Sequence, residues 1–228
     1  MTVQRRTLFA LIAAAPLAAL AQTAPRADEV ARFSPLHAAA HRGDLAALRQ
    51  ALAAGADVNG RDGHGRTPLH VAAFARQREA IRTLAGAGAD LGLLENDRYD
   101  AVTIASVADD EETLRVLLAL GASAKLTTSR YDGTALIAAA HLGHDGVVRQ
   151  LIAAGAPLDH VNNLHWTAVI EAIVLGDGGP RHQATLRALI DAKANLQLAD
   201  RSGRTPLTLA RERGYPAMEQ MLVKAGAR

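Results

Sequence analysis

The feature that most constrains this 228-residue chain is an internal repeat of about 33 residues. A Gly-Ala pair recurs after 33, 33 and 34 residues, and once more after 71 residues, which is two repeats with an insertion. The pairs begin at Gly55, Gly88, Gly121, Gly155 and Gly226. A unit of this length cannot bury its own apolar face, so the units have to stack on one another. The spacing therefore predicts an extended array of repeats and not a single closed core.

A second marker stands 21 residues before each Gly-Ala pair, where the chain has Thr or another residue that caps helices. These markers are Ser34, Thr67, Asp100, Thr134 and Thr205. In the fifth repeat, Thr167 precedes Lys193 by 26 residues, and Lys193 replaces the expected Gly. The fifth repeat therefore carries about five extra residues.

The sequences at these markers resemble the Thr-Pro-Leu-His-x-Ala motif of the ankyrin repeat. Residues 34–39, 67–72 and 205–210 read Ser-Pro-Leu-His-Ala-Ala, Thr-Pro-Leu-His-Val-Ala and Thr-Pro-Leu-Thr-Leu-Ala, and the other three markers match more loosely. The resemblance covers residues 33–228 and implies an all-α repeat solenoid, elongated and curved, that binds another protein and is not an enzyme. The implied repeats lie near 33–65, 66–98, 99–132, 133–165, 166–203 and 204–228.

Local chemistry predicts the same helix–turn–helix unit. The marker caps the first helix, and Pro at the first helical position loses no hydrogen bond. Gly43 and Gly143 are expected to end first helices in the left-handed conformation. Apolar residues at helical spacing, as over 147–152, predict the second helix, and Asp62–Gly65 predicts a hairpin that leads to the next repeat.

Residues 1–21 have the layout of a cleavable signal peptide. Arginines at positions 5 and 6 precede an apolar run over residues 8–20, and Ala19–Ala21 is a small-x-small cleavage site. The run is shorter than the ~20 residues that cross a bilayer, and an uncleaved anchor is the alternative. We expect a periplasmic or secreted protein, exported by the Sec or twin-arginine route, with no stable membrane anchor after cleavage. Residues 22–32 are expected to form a partly ordered lead-in linker.

Composition narrows the function further. The chain has no Cys, which excludes disulfides and thiolate metal sites. Removing Arg5 and Arg6 with the signal peptide leaves 23 basic and 23 acidic residues. A neutral chain without a basic cluster does not favour nucleic acid or an anionic membrane surface as partner.

The ankyrin resemblance implies a concave groove lined by hairpin tips and by the ends of the first helices. Aromatic and Arg side chains dominate binding hot spots, and four of the six aromatic residues after residue 21 fall at these positions. The candidate partner-binding residues are Arg66, Phe74, Tyr99, Tyr131, His141, Asn163, Trp166 and Arg204. The alternative is that the aromatic side chains only cover hairpin edges. We expect a monomer that binds another, exported protein.

Repeat five suggests a second, polar candidate site. Residues 176–182 are predicted to form a loop between its two helices, and Glu171 occupies a position that is apolar in the other repeats. A carboxylate there needs a partner, for which His165, Asn163 and Arg181 are the candidates. The polar candidate site comprises His165, Glu171, Asp177, Arg181 and His182. It is interpreted either as a local hydrogen-bond network or as a small-ligand, metal-binding or enzymatic site.

Other polar motifs do not predict a catalytic centre, a metal or a cofactor. His37 and His70 occupy the structural His position of the ankyrin motif, where the ring bonds neighbouring backbone. His141 with His144, and His160 with His165, have spacings that a metal could use, but neither pair has a third clustered ligand. A further hypothesis, a protein delivered into another cell, is disfavoured by the cleavable leader.

Overall fold

The computed structural model describes residues 24–228, which fold into one short helix, α1 (Ala27–Val30), followed by six helix–turn–helix pairs. The first helices are α2 (Pro35–Arg42), α4 (Pro68–Phe74), α6 (Ala101–Val107), α8 (Ala135–Leu142), α10 (Ala168–Val174) and α12 (Pro206–Glu212). The second helices are α3 (Leu45–Ala53), α5 (Arg78–Gly86), α7 (Glu111–Ala119), α9 (Asp145–Ala153), α11 (Pro180–Asp191) and α13 (Pro216–Lys224). Two strands, β1 (Thr127–Thr128) and β2 (Gly133–Thr134), pair antiparallel before α8.

The six pairs stack in chain order around one continuous core. Each first helix contacts the first helix of the next pair, and each second helix contacts the second helix of the next pair. The first helices approach closely because their buried faces carry small side chains. Ala39, Ala72, Ala105, Ala139 and Ala172 have no exposed surface. The predicted all-α repeat solenoid is confirmed.

The core contains no fully buried aromatic side chain among residues 24–228. The six aromatic residues of this part are all only partly buried. They are Phe33, Phe74, Tyr99, Tyr131, Trp166 and Tyr215. Thin layers of Ala and Leu leave no room for large rings, so the aromatic side chains lie at the edges of the stack.

The predicted helix caps are confirmed in all six repeats. Ser34, Thr67, Asp100, Thr134, Thr167 and Thr205 each accept a hydrogen bond from the amide three residues later. The structural role of the motif His is confirmed as well, since Nε2 of His37 lies 3.0 Å from the carbonyl oxygen of Arg66. His70 Nε2 contacts the carbonyl oxygen of Leu93 at 2.9 Å, and burial lowers the pKa of this ring to about 4. The two rings thus tie one repeat to the next hairpin.

The helix ends use the left-handed conformation as predicted. Gly43 and Gly143 follow α2 and α8 with φ of 66° and 69°. Lys193, which replaces Gly at the end of α11, has φ of 69°. A side chain in this conformation is disfavoured by roughly 1–2 kcal/mol, which the surrounding repeat has to offset.

The hairpins share one side-chain device. The residue that opens each hairpin accepts hydrogen bonds from the amides two and four residues later. In the hairpin that leads into the second repeat, Asp62 accepts hydrogen bonds from the amides of His64 and Arg66. The equivalent residues of the other hairpins are Glu95, Ser129, Asn162 and Asp200. This device fixes the conformation of each hairpin tip.

The lead-in segment is more structured than a linker. Its helix α1 carries Glu29, whose buried carboxylate accepts a hydrogen bond from Arg66 Nη2 at 2.8 Å. Burial by itself would raise the pKa of Glu29, but the Arg66 guanidinium and the Arg26 amide outweigh burial and lower it. Residues 26–32 therefore belong to the first repeat.

The structure corrects the prediction for the insertion of repeat five. The sequence predicts a loop over residues 176–182, but α11 already begins at Pro180. The prediction is wrong for Pro180, Arg181 and His182 because the fixed φ of Pro suits the first position of a helix. The insertion lengthens α11 to 12 residues, and α11 contacts α8 of the preceding repeat.

The predicted signal peptide at residues 1–21 lies outside the described residues. Within residues 24–228, no helix has the length and apolar character that crossing a membrane requires.

Candidate functional site

A cavity of about 230 Å³ lies on the side of the first helices, between repeats three, four and five. It is lined by residues of α6, α8 and α10 and of the hairpins that precede these helices. Tyr99, Tyr131, His141 and Trp166, four of the predicted partner-binding residues, all line it. We call this space the groove cavity.

Hairpin geometry places the three aromatic side chains. Tyr99 and Trp166 each precede a helix-capping residue, and their carbonyl oxygens accept hydrogen bonds from the amides of Glu95 and Asn162 at 3.0 Å. The carbonyl oxygen of Tyr131 accepts from the Asn163 amide at 2.9 Å, which links hairpins four and five. The backbone is therefore held by hydrogen bonds at the three positions from which these side chains extend to line the cavity.

Glu171 is the one carboxylate among the residues that line the groove cavity. Its side chain is 5% exposed. Asn162 Nδ2 donates to Oε1 at 3.0 Å, whereas Oε2 accepts no hydrogen bond and lies 3.4 Å from His141 Nδ1. That distance exceeds the range of a well-formed hydrogen bond.

The predicted partners of Glu171 are wrong. The carboxylate contacts Asn162 and His141, and no hydrogen bond or ion pair joins it to Asn163, His165 or Arg181. Glu171 lies in the first turn of α10, next to α8 and to the hairpin residue Asn162. The residues that it contacts are therefore determined by the stacking of the repeats and not by closeness in sequence.

Burial keeps this pair close to neutrality. It raises the pKa of Glu171 to about 7, against the opposing effect of the hydrogen bond from Asn162. Burial also lowers the pKa of His141, and the nearby His182 and His144 lower it further. The charge of the cavity therefore changes near pH 7, where Glu171 loses its proton.

A second cavity of about 270 Å³ adjoins the first. Tyr99 lines both cavities, and the second is also lined by Glu29, Arg66, Phe74 and Glu95. The two cavities thus meet at Tyr99, and we call the residues that line them the groove surface. Phe74, at the end of α4, is half-buried there, as a groove position requires.

Arg66 is predicted to contact a partner, but the structure gives it an internal role. Its side chain is 5% exposed, Nη2 donates to Glu29 at 2.8 Å, and Nε donates to Asp62 at 2.7 Å. The guanidinium is therefore engaged by two carboxylates of the protein. The prediction missed this because Glu29 lies in a segment interpreted as a linker.

Asn163 and Arg204 also lie outside the groove cavity. Asn163 is exposed, and its Nδ2 donates to the carbonyl oxygen of Arg130 at 3.0 Å, which joins neighbouring hairpins. Arg204 donates to Asp200 at 2.7 Å and to Glu212 at 3.2 Å. Both residues serve hairpin structure in the free protein.

The polar candidate site predicted in repeat five is not assembled. His182 Nδ1 lies 2.8 Å from Asp177, and its Nε2 lies 2.9 Å from the carbonyl oxygen of His141. Arg181 instead pairs with Asp109 at 2.8 Å, and His165 is exposed at a hairpin tip. The five residues do not form one joint site, because α11 begins at Pro180 and places Arg181 beside Asp109 and His182 beside Asp177 and α8.

Sequence reasoning missed Glu95 and several apolar lining residues. Glu95 is buried in the second cavity, where burial raises its pKa despite hydrogen bonds from the Asp97 and Tyr99 amides. The sequence feature that could have pointed to Glu95 is its position at the start of a hairpin, which is equivalent to that of Asp62 and Asp200. The apolar side chains that complete the groove cavity include Ile137, Leu164 and Leu175.

The described part of the chain offers little for metal chemistry. No group of three or more His, Asp or Glu side chains within residues 24–228 is placed to hold a metal ion. One histidine of each spaced pair, His141 with His144 and His160 with His165, instead contacts a backbone oxygen. His144 Nδ1 lies 2.9 Å from the oxygen of Ser106, and His160 Nε2 lies 2.6 Å from that of Asp132.

Comparison with known proteins agrees with the motif and with the fold. A family model for ankyrin repeats (3 copies) matches residues 16–95, and a model for a single ankyrin repeat matches residues 131–163. YahD, an ankyrin repeat protein of Escherichia coli (strain K12), is 41% identical over 100 residues, which is 43% of this chain and 50% of YahD. The ankyrin repeat and KH domain-containing protein mask-1 of Caenorhabditis elegans is 35% identical over 40% of this chain and 3% of that protein. The chain thus spans half or less of the length of these curated relatives.

Solved structures extend the likeness to most of the chain. The ankyrin repeat domain of Bcl-3, a member of the IκB protein family, has a TM-score of 0.77 at 26% identity and covers 86% of this chain and 88% of that domain. An ankyrin repeat domain from Acinetobacter baumannii AYE has a TM-score of 0.80 at 43% identity and covers 85% of this chain and 98% of that domain. With the Thr-Pro-Leu-His motifs, the stacked helix pairs and this bacterial relative all in agreement, the chain belongs to the ankyrin-repeat family.

Proposed function

We propose that the chain binds another protein along its groove surface, with the groove cavity at the centre of the contact. The observation that carries this proposal is that Tyr99, Tyr131 and Trp166 line one cavity although they come from three different hairpins. Large, rigid side chains with a polar tip, grouped in a concave site, are typical of binding hot spots. Ankyrin repeats generally act as protein-interaction modules, and the function proposed is not catalytic.

The half-buried state of these rings supports a binding role. Tyr99 and Trp166 pack against the edge of the core and are only partly buried, so part of each ring stays free to contact a partner. Exposed Leu142 and Leu175 extend the apolar lining beside the rings. A partner that covers this surface would remove apolar area from water, which favours association.

We further propose that the protein acts outside the cytoplasm as a monomer, in the periplasm or after secretion. The support is the sequence of residues 1–21, with its arginine pair, apolar run and cleavage site. Mass spectrometry of the protein purified from its native host tests this proposal. A mature N-terminus near Gln22 is expected, and an intact leader in the cytoplasmic fraction would contradict export.

Affinity capture with the purified protein tests the binding function. The test variant carries Tyr99→Ala and Trp166→Ala, and the control variant carries Val223→Ala, which shortens an exposed apolar side chain on α13. A partner is expected to copurify with the wild type and the control but not with the double variant, while circular dichroism shows all three to be folded. Equal capture by the folded double variant would exclude the groove cavity as the binding surface.

A further inference from the structure

We infer that the partner inserts a cationic side chain, the ammonium of Lys or the guanidinium of Arg, into the groove cavity between the aromatic rings and Glu171. This inference rests on the proposed function and specifies the chemistry of the segment that the groove binds. It depends on three independent observations: a buried carboxylate without a cation, an aromatic wall, and a histidine whose ring faces the carboxylate.

The first observation is that the Glu171 carboxylate is not neutralised within the described chain. No Lys or Arg lies within ion-pair distance, and Oε2 accepts no hydrogen bond. The equivalent residues of the other repeats are apolar: Ala38, Val71, Ile104, Ala138 and Leu209. A buried carboxylate with an unsatisfied oxygen costs stability, so its presence in a binding cavity indicates a ligand that compensates it.

The second observation is the nature of the surrounding wall. Tyr99, Tyr131 and Trp166 line the same cavity as Glu171. The face of an aromatic ring attracts a cation within about 6 Å of its centre, most strongly for Trp. Rings and carboxylate therefore favour the same ligand charge, whereas an anionic side chain would meet two unfavourable surfaces.

The third observation concerns His141. Its Nδ1 faces Glu171 Oε2, and neither ring nitrogen makes a hydrogen bond to any residue in 24–228. When Glu171 is ionised, its charge favours the tautomer with the proton on Nδ1, which leaves Nε2 as a hydrogen-bond acceptor. Burial lowers the pKa of His141 and so keeps the ring neutral. A neutral acceptor backed by a carboxylate suits an N–H donor that carries positive charge.

The adjoining cavity carries charges of both signs. Glu95 is buried there, but Arg26 and Arg66 line the same cavity, and the charge of Arg66 opposes the effect of burial on the pKa of Glu95. The preference for a cation therefore depends on Glu171 and the aromatic wall of the groove cavity.

Proton linkage follows from the same geometry. The titratable groups around Glu171 are His141 on α8, His182 on α11 behind it, and the tyrosines of hairpins three and four. A cation stabilises the ionised carboxylate, so its binding should strengthen as the pH rises through 7. Protonation of His141 at low pH would place a positive charge beside the bound cation and would also weaken binding, and a variant that lacks only the carboxylate separates the two contributions.

Short peptides of known charge test the inference directly. Trp166 is the only Trp of the chain, so its fluorescence reports on the cavity without a label. The full-length protein is titrated at pH 8 with acetylated, amidated Gly-Lys-Gly and Gly-Arg-Gly, and with Gly-norleucine-Gly as the neutral control of similar shape. The cationic peptides are expected to bind about tenfold more tightly than the norleucine peptide. The matched variant Glu171→Gln should lose this difference and remain folded by circular dichroism.

The same titrations at pH 6 and pH 8 complete the test. For the wild type, the affinity for the Lys peptide should be about tenfold weaker at pH 6, where roughly one tenth of Glu171 is ionised. The Glu171→Gln variant retains His141 and His182 and should show little of this change. Equal binding of Lys and norleucine peptides, or a charge preference that Glu171→Gln leaves intact, would overturn the inference. If partner capture is lost in the Tyr99/Trp166 double variant but unaffected by Glu171→Gln, the binding function is supported and the inference of an inserted cationic side chain is contradicted.

Discussion

Replacing Glu171 by Gln should make the protein more stable at neutral and alkaline pH but not at acidic pH. Glutamine keeps the size of the side chain and can still accept the hydrogen bond from Asn162, but it never carries a charge. The wild-type carboxylate has to ionise in a buried place, and burial raises its pKa from 4.5 to about 7. The free energy of unfolding of the wild type should therefore depend on pH in a way that the variant does not share.

The sign and size follow from proton linkage. Between pH 4.5 and pH 7 the folded state binds more protons at Glu171 than the unfolded state, so the stability of the wild type falls as the pH rises. One unit of pKa corresponds to about 1.4 kcal/mol, and the shift of Glu171 therefore amounts to roughly 3 kcal/mol. His141, whose pKa is lowered, contributes with the opposite sign in both proteins, so only its interaction with the ionised carboxylate enters the difference. The stability advantage of the variant should grow by roughly 3 kcal/mol from pH 4.5 to pH 8.

Urea unfolding at constant ionic strength from pH 4.5 to pH 8 measures this difference. Circular dichroism and Trp166 fluorescence should give coincident transitions. This agreement has to be checked before a two-state fit, because stacked repeats can lose cooperativity. The control is Glu79→Gln, which removes a carboxylate that is 70% exposed and should give a nearly constant difference. An advantage of Glu171→Gln that stays flat with pH, or shrinks as the pH rises, would refute the reasoning and indicate that His141 neutralises the carboxylate in the folded protein.

Three further predictions test the fold and the groove. Trp166→Ala should leave the helical circular dichroism unchanged and weaken the affinity for a captured partner by at least about tenfold in surface plasmon resonance. An unfolded variant would contradict the position of this ring at the edge of the stack. Gly143→Ala should cost more than the roughly 1–2 kcal/mol of the left-handed conformation, because the new Cβ would lie 3.0 Å from the His182 ring. Gly214→Ala has the same φ of 69° and open space around the new Cβ, so equal losses for the two variants in urea unfolding would exclude the contact with His182. Lys193→Gly should stabilise the protein by about 1 kcal/mol in the same assay, since Gly adopts the left-handed conformation of residue 193 without the strain of a side chain. A loss of stability would show that contacts of the Lys side chain contribute more than this backbone conformation costs.

Much of the fold could be predicted from the sequence because its determinants are local. A capping residue, a Pro at the first helical position and a Gly in the left-handed conformation each act within one turn of helix. The caps from Ser34 to Thr205 and the left-handed ends at Gly43 and Gly143 were therefore predictable one repeat at a time. The groove aromatics were predictable for the same reason, since Tyr99 and Trp166 stand directly before a cap.

Predictions failed where a side chain finds its partner in another repeat. The partner of Arg66 is Glu29, 37 residues away, and Arg181 reaches Asp109 across 72 residues. Pro180 can lie in a loop or begin a helix, and the packing of α11 on α8 decides that it begins α11.

By itself, the sequence determined the repeat length, the helical unit and the necessity of stacking, because a unit of about 33 residues cannot hide its own apolar face. The tertiary structure alone decided which side chains share a cavity, since stacking brings Tyr99, Tyr131 and Trp166 together from three hairpins. It also decided that Glu171 lies beside Asn162 and His141 with one oxygen unsatisfied. Burial and distance between repeats are properties of the assembled stack, and no single repeat contains them.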